Sequence, residues 1–186
     1  MALTPSTMLE LSTQAPHFEL PDAISGNVIS LTGISSGMRG TMVMFICNHC
    51  PYVKHVQPEL VKLANDYLGK DIAIIAISSN DVDNYPEDSP ELMLEEAKKW
   101  SYTFPYLYDE SQTVAKSYKA ACTPDFYLFD QNLSLVYRGE LDGSRPGNDV
   151  ELSGNSMRDA LDSLLAGIPI SNTQIPSVGC NIKWKE

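Results

Sequence analysis

The chain has 186 residues, of which 43% are hydrophobic and 20% are charged, a composition typical of one globular domain with its own core. No run of residues approaches the roughly 18 consecutive apolar positions that a membrane-spanning helix needs. The formal net charge of −11 opposes binding to nucleic acid and to anionic lipid, so we expect neither nucleic acid nor a membrane as a partner.

The two ends of the chain show no clear hydrophobic period. Residues 1–13 predict a loosely held lead-in, residues 14–168 one folded domain, and residues 169–186 a C-terminal tail. The first five residues lack the basic stretch and the apolar run of a secretory signal. We therefore expect a cytoplasmic, reducing location, where a close pair of cysteines is more often catalytic or metal-binding than structural.

The first half of the domain predicts a β-hairpin followed by a βαβ unit. Short apolar pieces at residues 16–20 and 28–31 flank a Ser-Gly-Asn turn, which favours a hairpin. Continuous apolar runs at residues 41–46 and 72–77 are typical of parallel strands that are covered on both faces. Apolar residues recur at helical spacing in residues 53–68, so a helix connects the two strands.

The second half predicts a second crossover helix, a hairpin and a final helix. An acidic, turn-rich stretch at residues 81–88 predicts a solvated loop, and Ser89 and Pro90 predict the cap and first turn of the next helix. Polar residues 139–140 and 142–145 predict another solvated stretch, within a long polar loop at 142–149. The other predicted elements are a strand at 105–108, a helix at 111–118, a hairpin at 126–129 and 133–137, and a helix that stops at Gly167. This order predicts an α/β fold with a central mixed sheet flanked by helices.

Four cysteines occur in the chain, and two of them form the close pair Cys47-Asn48-His49-Cys50. The pair follows a predicted buried strand and lies where a helix is expected to begin, between residues 47 and 52. The backbone donors and positive dipole end of a helix stabilise a thiolate and lower its pKa. We expect Cys47 to attack a substrate disulfide and Cys50 to resolve the mixed disulfide, without a bound cofactor.

A zinc site is the alternative use of these residues. Cys47, His49 and Cys50 offer three ligands within one turn, and a fourth, with Cys122 as a candidate, has to come from elsewhere. Zinc sites usually pair two such clusters, so we expect no metal. The corresponding non-enzymatic hypothesis is a zinc-binding or redox-sensing module that changes partners when Cys47 and Cys50 oxidise.

The sequence Cys122-Thr123-Pro124 precedes a predicted strand, and here the chain resembles the thioredoxin-like superfamily. The resemblance implies a thioredoxin-like fold in which Pro124 is cis and faces the two cysteines, and Thr123 lends its backbone to a substrate strand. Thr123 and Pro124 are therefore the expected substrate-binding residues. An ordinary trans proline in a turn is the alternative, because cis bonds are a minority even before proline.

Within this superfamily, residues 15–20 with the hairpin after them resemble the alkyl hydroperoxide reductase and thiol-specific antioxidant branch, which includes peroxiredoxins. The resemblance covers residues 14–166 and implies a hairpin extension N-terminal to the thioredoxin-like core. Peroxiredoxins carry Thr-x-x-Cys, whereas Cys47 stands in the place of that threonine, and the expected place of their arginine falls near Pro124. Both departures favour disulfide exchange with a protein or small-molecule disulfide and a separate electron donor. Peroxide reduction by Cys50 is the alternative.

Three further residues are candidates for supporting roles. His49 resembles the histidine before the second cysteine of protein disulfide isomerases, which implies a stabilised thiolate and a reduction potential above the ~−270 mV of thioredoxin. The alternative is a solvent-facing histidine at the start of a helix. Cys122 and Cys180 are possible accessory thiols that relay the disulfide outward, and the alternative for both is a packed, unreactive thiol.

Overall fold

The computed structural model describes residues 3–186, and Met1 and Ala2 lie outside the described residues. In chain order the elements are β1 (Leu3–Pro5), β2 (Glu19–Pro21), β3 (Val28–Ser30), α1 (Leu31–Ser35), β4 (Gly40–Phe45), α2 (Pro51–Tyr67), β5 (Ile72–Ser78), a 3₁₀ turn (Pro86–Asp88), α3 (Pro90–Trp100), β6 (Tyr106–Tyr108), α4 (Thr113–Ser117), β7 (Cys122–Thr123), β8 (Asp125–Asp130), β9 (Leu135–Gly139), α5 (Asn155–Ala166) and β10 (Val178–Asn181). The predicted α/β architecture is confirmed.

A five-stranded mixed sheet forms the centre, in the order β6-β5-β4-β8-β9. Strand β4 pairs in parallel with β5 and antiparallel with β8, so the βαβ unit and the later hairpin meet on β4. Every residue of β4 and β5 is buried, which is why these strands have continuous apolar sequences. The predicted central strands are confirmed.

Alternate residues of the central strands pack into two separate cores. Met42 and Met44 belong to the core beneath α2, α3 and α5, whereas Val43 and Phe45 belong to the core beneath α1 and α4. The period of two along a strand sends successive side chains to opposite faces of the sheet. Strand β4 is thereby held on both faces, and the loop after Phe45 starts from a rigid support.

Two smaller sheets lie beside the central one. Strands β2 and β3 form the predicted hairpin. Strand β10 lies between β1 and β7, antiparallel to both. The sequence predicts no strand in either terminal segment, and here the structure differs, because strands of three or four residues are too short to show a period. None of the described helices is both long and apolar enough to cross a bilayer.

The polar stretch at residues 139–145 is mostly buried, so the prediction that it is solvated is wrong, while residues 146–149 of the same loop are exposed. Glu140, Asp142 and Ser144 are at most 4% exposed. The Asp142 carboxylate accepts backbone N–H bonds from Ser144, Ser153 and Gly154 at 2.8, 2.7 and 2.6 Å. A buried carboxylate that receives several hydrogen bonds replaces the water it has lost, and composition alone does not reveal this.

Candidate active site

The Cys-x-x-Cys motif forms the junction between β4 and α2. Helix α2 begins at Pro51 and Cys50 is its N-cap, so the start falls at the C-terminal end of the predicted range. Proline suits the first helical position because that position has no N–H partner to lose. The exposed N–H groups of the first turn therefore face Cys50 rather than Cys47.

The sulfur of Cys50 is at the centre of a cluster of hydrogen bonds. Hydrogen bonds from the Cys47 and Cys180 thiols and from the backbone N–H of Val53 stabilise its thiolate, outweigh the opposing effect of burial, and lower the pKa of Cys50 to about 5. Its Sγ lies 2.8 Å from Sγ of Cys180. In the protonated form the same sulfur donates to the carbonyl oxygen of Thr123 at 3.2 Å.

The pKa of Cys47 is shifted in the opposite direction. Its thiol donates to Cys50, and this bond, burial and the charge of Asp88 together raise the pKa of Cys47 well above the ordinary value. A contact of 3.4 Å with Oγ1 of Thr123 opposes the shift. These two directions favour Cys50 as the ionised sulfur of the pair, whereas the attacking role expected for Cys47 stays a prediction.

This order of pKa values predicts the titration of the reduced protein. We expect one thiolate to form with a midpoint near pH 5. Its ultraviolet absorbance measures this titration, and the measurement needs no reagent that would have to reach the buried sulfur. Cys50→Ser removes this transition, whereas Cys122→Ser is the control that keeps it. A first midpoint near the ~8.5 of an unperturbed thiol contradicts the assignment.

A buried carboxylate fixes the middle of the motif. Asp88 is fully buried, with Oδ1 accepting the N–H groups of Asn48 and His49 at 2.8 and 3.3 Å. Its Oδ2 lies 2.6 Å from Nδ1 of His49 and accepts from Asn80 at 2.8 Å. Residues 83, 84, 86 and 87 of the predicted solvated loop are exposed, but Asp81 and Asp88 at its two ends are buried. Sequence reasoning missed Asp88 because the motif residues that it binds lie about 40 positions earlier.

His49 and Asp88 form a hydrogen-bonded pair, which is an ion pair when His49 is protonated. The hydrogen bond with Asp88 raises the pKa of His49. Burial opposes ionisation of Asp88, but the bonds from His49 and Asn80 outweigh it and hold the pKa of Asp88 below its ordinary value. The His49 ring also stacks on Tyr85 with centroids 5.4 Å apart, and its side chain is only 14% exposed. His49 is therefore not a solvent-facing histidine.

The residues that could hold a metal differ from the predicted set. In the described part of the chain, one group of three or more ligands is gathered, and it consists of Cys47, His49 and Asp88, with ligand atoms within 4.8 Å of one another. Cys50 and Cys122 are not in this group. Nδ1 of His49 is engaged by Asp88, while Nε2 is buried and has no hydrogen-bond partner.

The Thr123-Pro124 peptide bond is cis and faces both cysteines, which confirms the conformation that the resemblance implies. Thr123 contacts Cys47 through its hydroxyl and Cys50 through its carbonyl oxygen. Its backbone edge is paired with β10, where Cys180 lies opposite Thr123. The substrate-binding roles of Thr123 and Pro124 stay predictions, and a substrate strand can pair here only after β10 moves.

The structure separates the two possible accessory thiols. Cys180 is 4% exposed and contacts Cys50, whereas the thiol of Cys122 donates to the carbonyl oxygen of Pro124 at 3.6 Å. Burial strongly raises the pKa of Cys122. All four cysteines of the chain are buried thiols with no disulfide between them. Cys180 is therefore placed for chemistry at the motif, and Cys122 is packed beside it.

A dithiol at the carboxyl end of a central strand, followed by a helix and faced by a cis-proline loop, defines a thioredoxin-like redoxin. The chain belongs to the AhpC/TSA family, whose model matches residues 11–138. The family supports a redox enzyme and leaves the particular reaction open.

Solved structures give the same fold. An uncharacterised conserved protein from Geobacillus kaustophilus is 56% identical, with 100% of this chain and 97% of that chain covered and a TM-score of 0.97. A hypothetical protein from Sinorhizobium meliloti 1021 is 46% identical, with 98% of each chain covered and a TM-score of 0.95. A putative thioredoxin from Neisseria meningitidis is 21% identical, with 83% and 91% covered and a TM-score of 0.63, and it shows the fold alone. No curated protein matches the chain.

Proposed function

We propose that the protein is a thiol-disulfide oxidoreductase that exchanges a Cys47/Cys50 dithiol with a disulfide of a protein or small molecule. The observation that carries the proposal is that both sulfurs lie against Thr123 beside the cis-proline, with Sγ of Cys47 3.4 Å from its hydroxyl and Sγ of Cys50 3.2 Å from its carbonyl oxygen. The interaction of the two thiols, which lowers the pKa of Cys50 and raises that of Cys47, supports it. The site needs no cofactor for this reaction.

The reaction proceeds by two displacements at sulfur. The Cys50 thiolate attacks a substrate disulfide, one substrate sulfur leaves as a thiolate and takes up a proton, and a mixed disulfide forms on Cys50. Cys47 then loses its proton and attacks Sγ of Cys50, which closes the Cys47–Cys50 disulfide and releases the second substrate thiol. An electron-donating thiol reverses these steps and restores the dithiol, so the cycle suits a reducing compartment such as the cytoplasm.

Formation of the mixed disulfide on Cys50 makes the following attack by Cys47 easier. While Cys50 is a thiolate, its hydrogen bond is the largest cause of the raised pKa of Cys47. Once Cys50 carries the substrate sulfur, that charge is gone and the Cys47 proton is released more easily. Cys47 therefore stays protonated until the mixed disulfide has formed on Cys50.

The test measures two reactions on one preparation. We expect the reduced protein to reduce insulin disulfides with turnover when dithiothreitol is the electron donor, and to consume hydroperoxide much more slowly. Faster hydroperoxide consumption without insulin reduction contradicts the proposal. Native mass spectrometry distinguishes the zinc-binding alternative from disulfide exchange. A bound metal ion adds mass to the protein, whereas oxidation of the Cys47–Cys50 pair removes two hydrogens.

Peroxide reduction is the second candidate, and the lowered pKa of Cys50 at the start of α2 favours it. Cys50 would take the peroxide oxygen as a sulfenic acid, and Cys47 would displace water from it. A free guanidinium beside the thiolate would strengthen this candidate. Arg145 lies near Pro124, but it is paired with Glu140 and donates to the carbonyl oxygens of Asp142 and Ser144. Disulfide exchange therefore ranks first.

A further inference from the structure

The C-terminal strand lies where an incoming substrate strand would pair. Strand β10 is antiparallel to β7, with Cys180 opposite Thr123 and Asn181 opposite Cys122. The other edge of β10 is covered by β1. A cysteine-bearing strand of the chain itself therefore fills the backbone edge beside the cis-proline.

The approach of this strand to the site is unusually close. A Cβ added at Gly179 would lie 1.9 Å from the carbonyl oxygen of Thr123, so glycine is required at that position for β10 to lie so near β7. The next residue, Cys180, is thereby brought with its Sγ 2.8 Å from Sγ of Cys50. A disulfide needs about 2.05 Å between the sulfurs, so a movement of less than about 1 Å joins them.

We propose that Cys180 is a third redox-active thiol, which resolves Cys50 by forming a Cys50–Cys180 disulfide. The inference rests on the proposed function and adds a second route through the same site. The thiolate of Cys180 attacks Sγ of Cys50, which is bonded to a substrate sulfur or to Cys47. The old disulfide breaks, its other sulfur leaves as a thiolate and takes the proton that Cys180 gave up, and the number of disulfides and electrons is unchanged.

Electrostatics makes this step conditional on the state of Cys50. Burial and the adjacent Cys50 sulfur raise the pKa of Cys180 to about 12, and Lys183 opposes the shift. A disulfide on Cys50 removes the negative charge next to Cys180, so the thiol ionises more readily when there is a bond to attack. When the transfer starts from a Cys47–Cys50 disulfide, it leaves Cys47 as a thiol again and carries the oxidised state to the C-terminal strand.

The test maps where oxidation by glutathione disulfide ends. In Cys47→Ser, glutathione first attaches to Cys50, and we expect Cys180 to expel it, giving a Cys50–Cys180 linked peptide in non-reducing mass spectrometry. The double variant Cys47→Ser/Cys180→Ser is the matched comparison and keeps the glutathione adduct. Cys122→Ser is the control. Alone it is expected to form the same disulfides as the wild-type protein, and combined with Cys47→Ser the same disulfides as Cys47→Ser.

A stable glutathione adduct on Cys50 in Cys47→Ser, without a Cys50–Cys180 link, overturns the inference. This outcome is separate from failure of the proposed function, in which the wild-type protein forms no Cys47–Cys50 disulfide and does not reduce insulin. Because Cys180 is buried, far-ultraviolet circular dichroism checks that the double variant is folded. If it is not, the mapping in Cys47→Ser alone decides, since that chain retains Cys180.

Discussion

Cys50→Ser is expected to lower the rate of insulin reduction to background, a loss on the order of 10³-fold or more. Removing a catalytic nucleophile can lower a rate by as much as ~10⁶-fold. The substitution deletes the sulfur of the site whose pKa is lowered, to about 5. Cys47 and Cys180, which remain, both have raised pKa values and both depend on Cys50 as their partner. Single-turnover reduction of a disulfide-bonded peptide measures the loss.

Thiolate population alone does not account for so large an effect. Raising the pKa of a thiol by one unit lowers its thiolate fraction tenfold. The rate constant of the remaining thiolate rises about threefold, because the Brønsted coefficient is ~0.5. The larger part comes from position, since Cys50 is the sulfur that both other thiols contact. Cys47→Ser is therefore expected to form the first mixed disulfide at Cys50 and Cys50→Ser is not. A wild-type rate in Cys50→Ser places the nucleophile on Cys47 instead.

The parts of the fold that the sequence predicts are those set by local pattern. Residues 41–46 and 72–77 show their burial on both faces directly as continuous apolar runs, and the structure has β4 and β5 there. The motif at Cys47 and Cys50 marks the site because its spacing fits the start of a helix. The cis peptide bond before Pro124, which the structure has, is predicted by the family resemblance and not by composition.

The parts that the sequence does not predict depend on contacts between distant residues. Asp88 lies in an acidic, turn-rich stretch, and such stretches are solvated on average, yet its carboxylate receives hydrogen bonds from residues about 40 positions earlier. Cys180 reaches Cys50 from 130 positions away through a strand of four residues. The pKa order of the two motif cysteines also depends on these contacts, since Asp88 acts on Cys47 and Cys180 acts on Cys50.

Asp88→Asn is expected to lower the free energy of unfolding by about 3 kcal/mol, the scale of losing one partner of a buried ion pair. The side chain keeps its shape, and its amide oxygen can still accept N–H groups of the motif, but the charge that stabilises protonated His49 is gone. For a chain of this size the melting temperature falls by roughly 6–12 °C. Thermal unfolding near pH 6 measures the loss.

The pH dependence of that loss follows from the two pKa directions. The lowered pKa of Asp88 gives stability that is present above its ordinary ~3.9 and is lost as the pH falls through its lower folded value. The raised pKa of His49 gives stability that is fully present below its ordinary ~6.5 and is lost as the pH rises through its higher folded value. The difference between wild type and variant is therefore largest between about pH 4 and 6.5.

The neighbouring acid supplies a matched control. Glu87 is exposed and precedes Asp88 in the same 3₁₀ turn, so Glu87→Gln removes the same charge from the same loop without touching the ion pair. We expect Glu87→Gln to change stability by no more than about 0.5 kcal/mol. Equal losses in the two variants, or a loss in Asp88→Asn that stays constant from acid to alkaline pH, would show that the pair with His49 does not hold the motif. Asp88→Asn should also lower the pKa of Cys47, because the charge of Asp88 is one cause of its raised value.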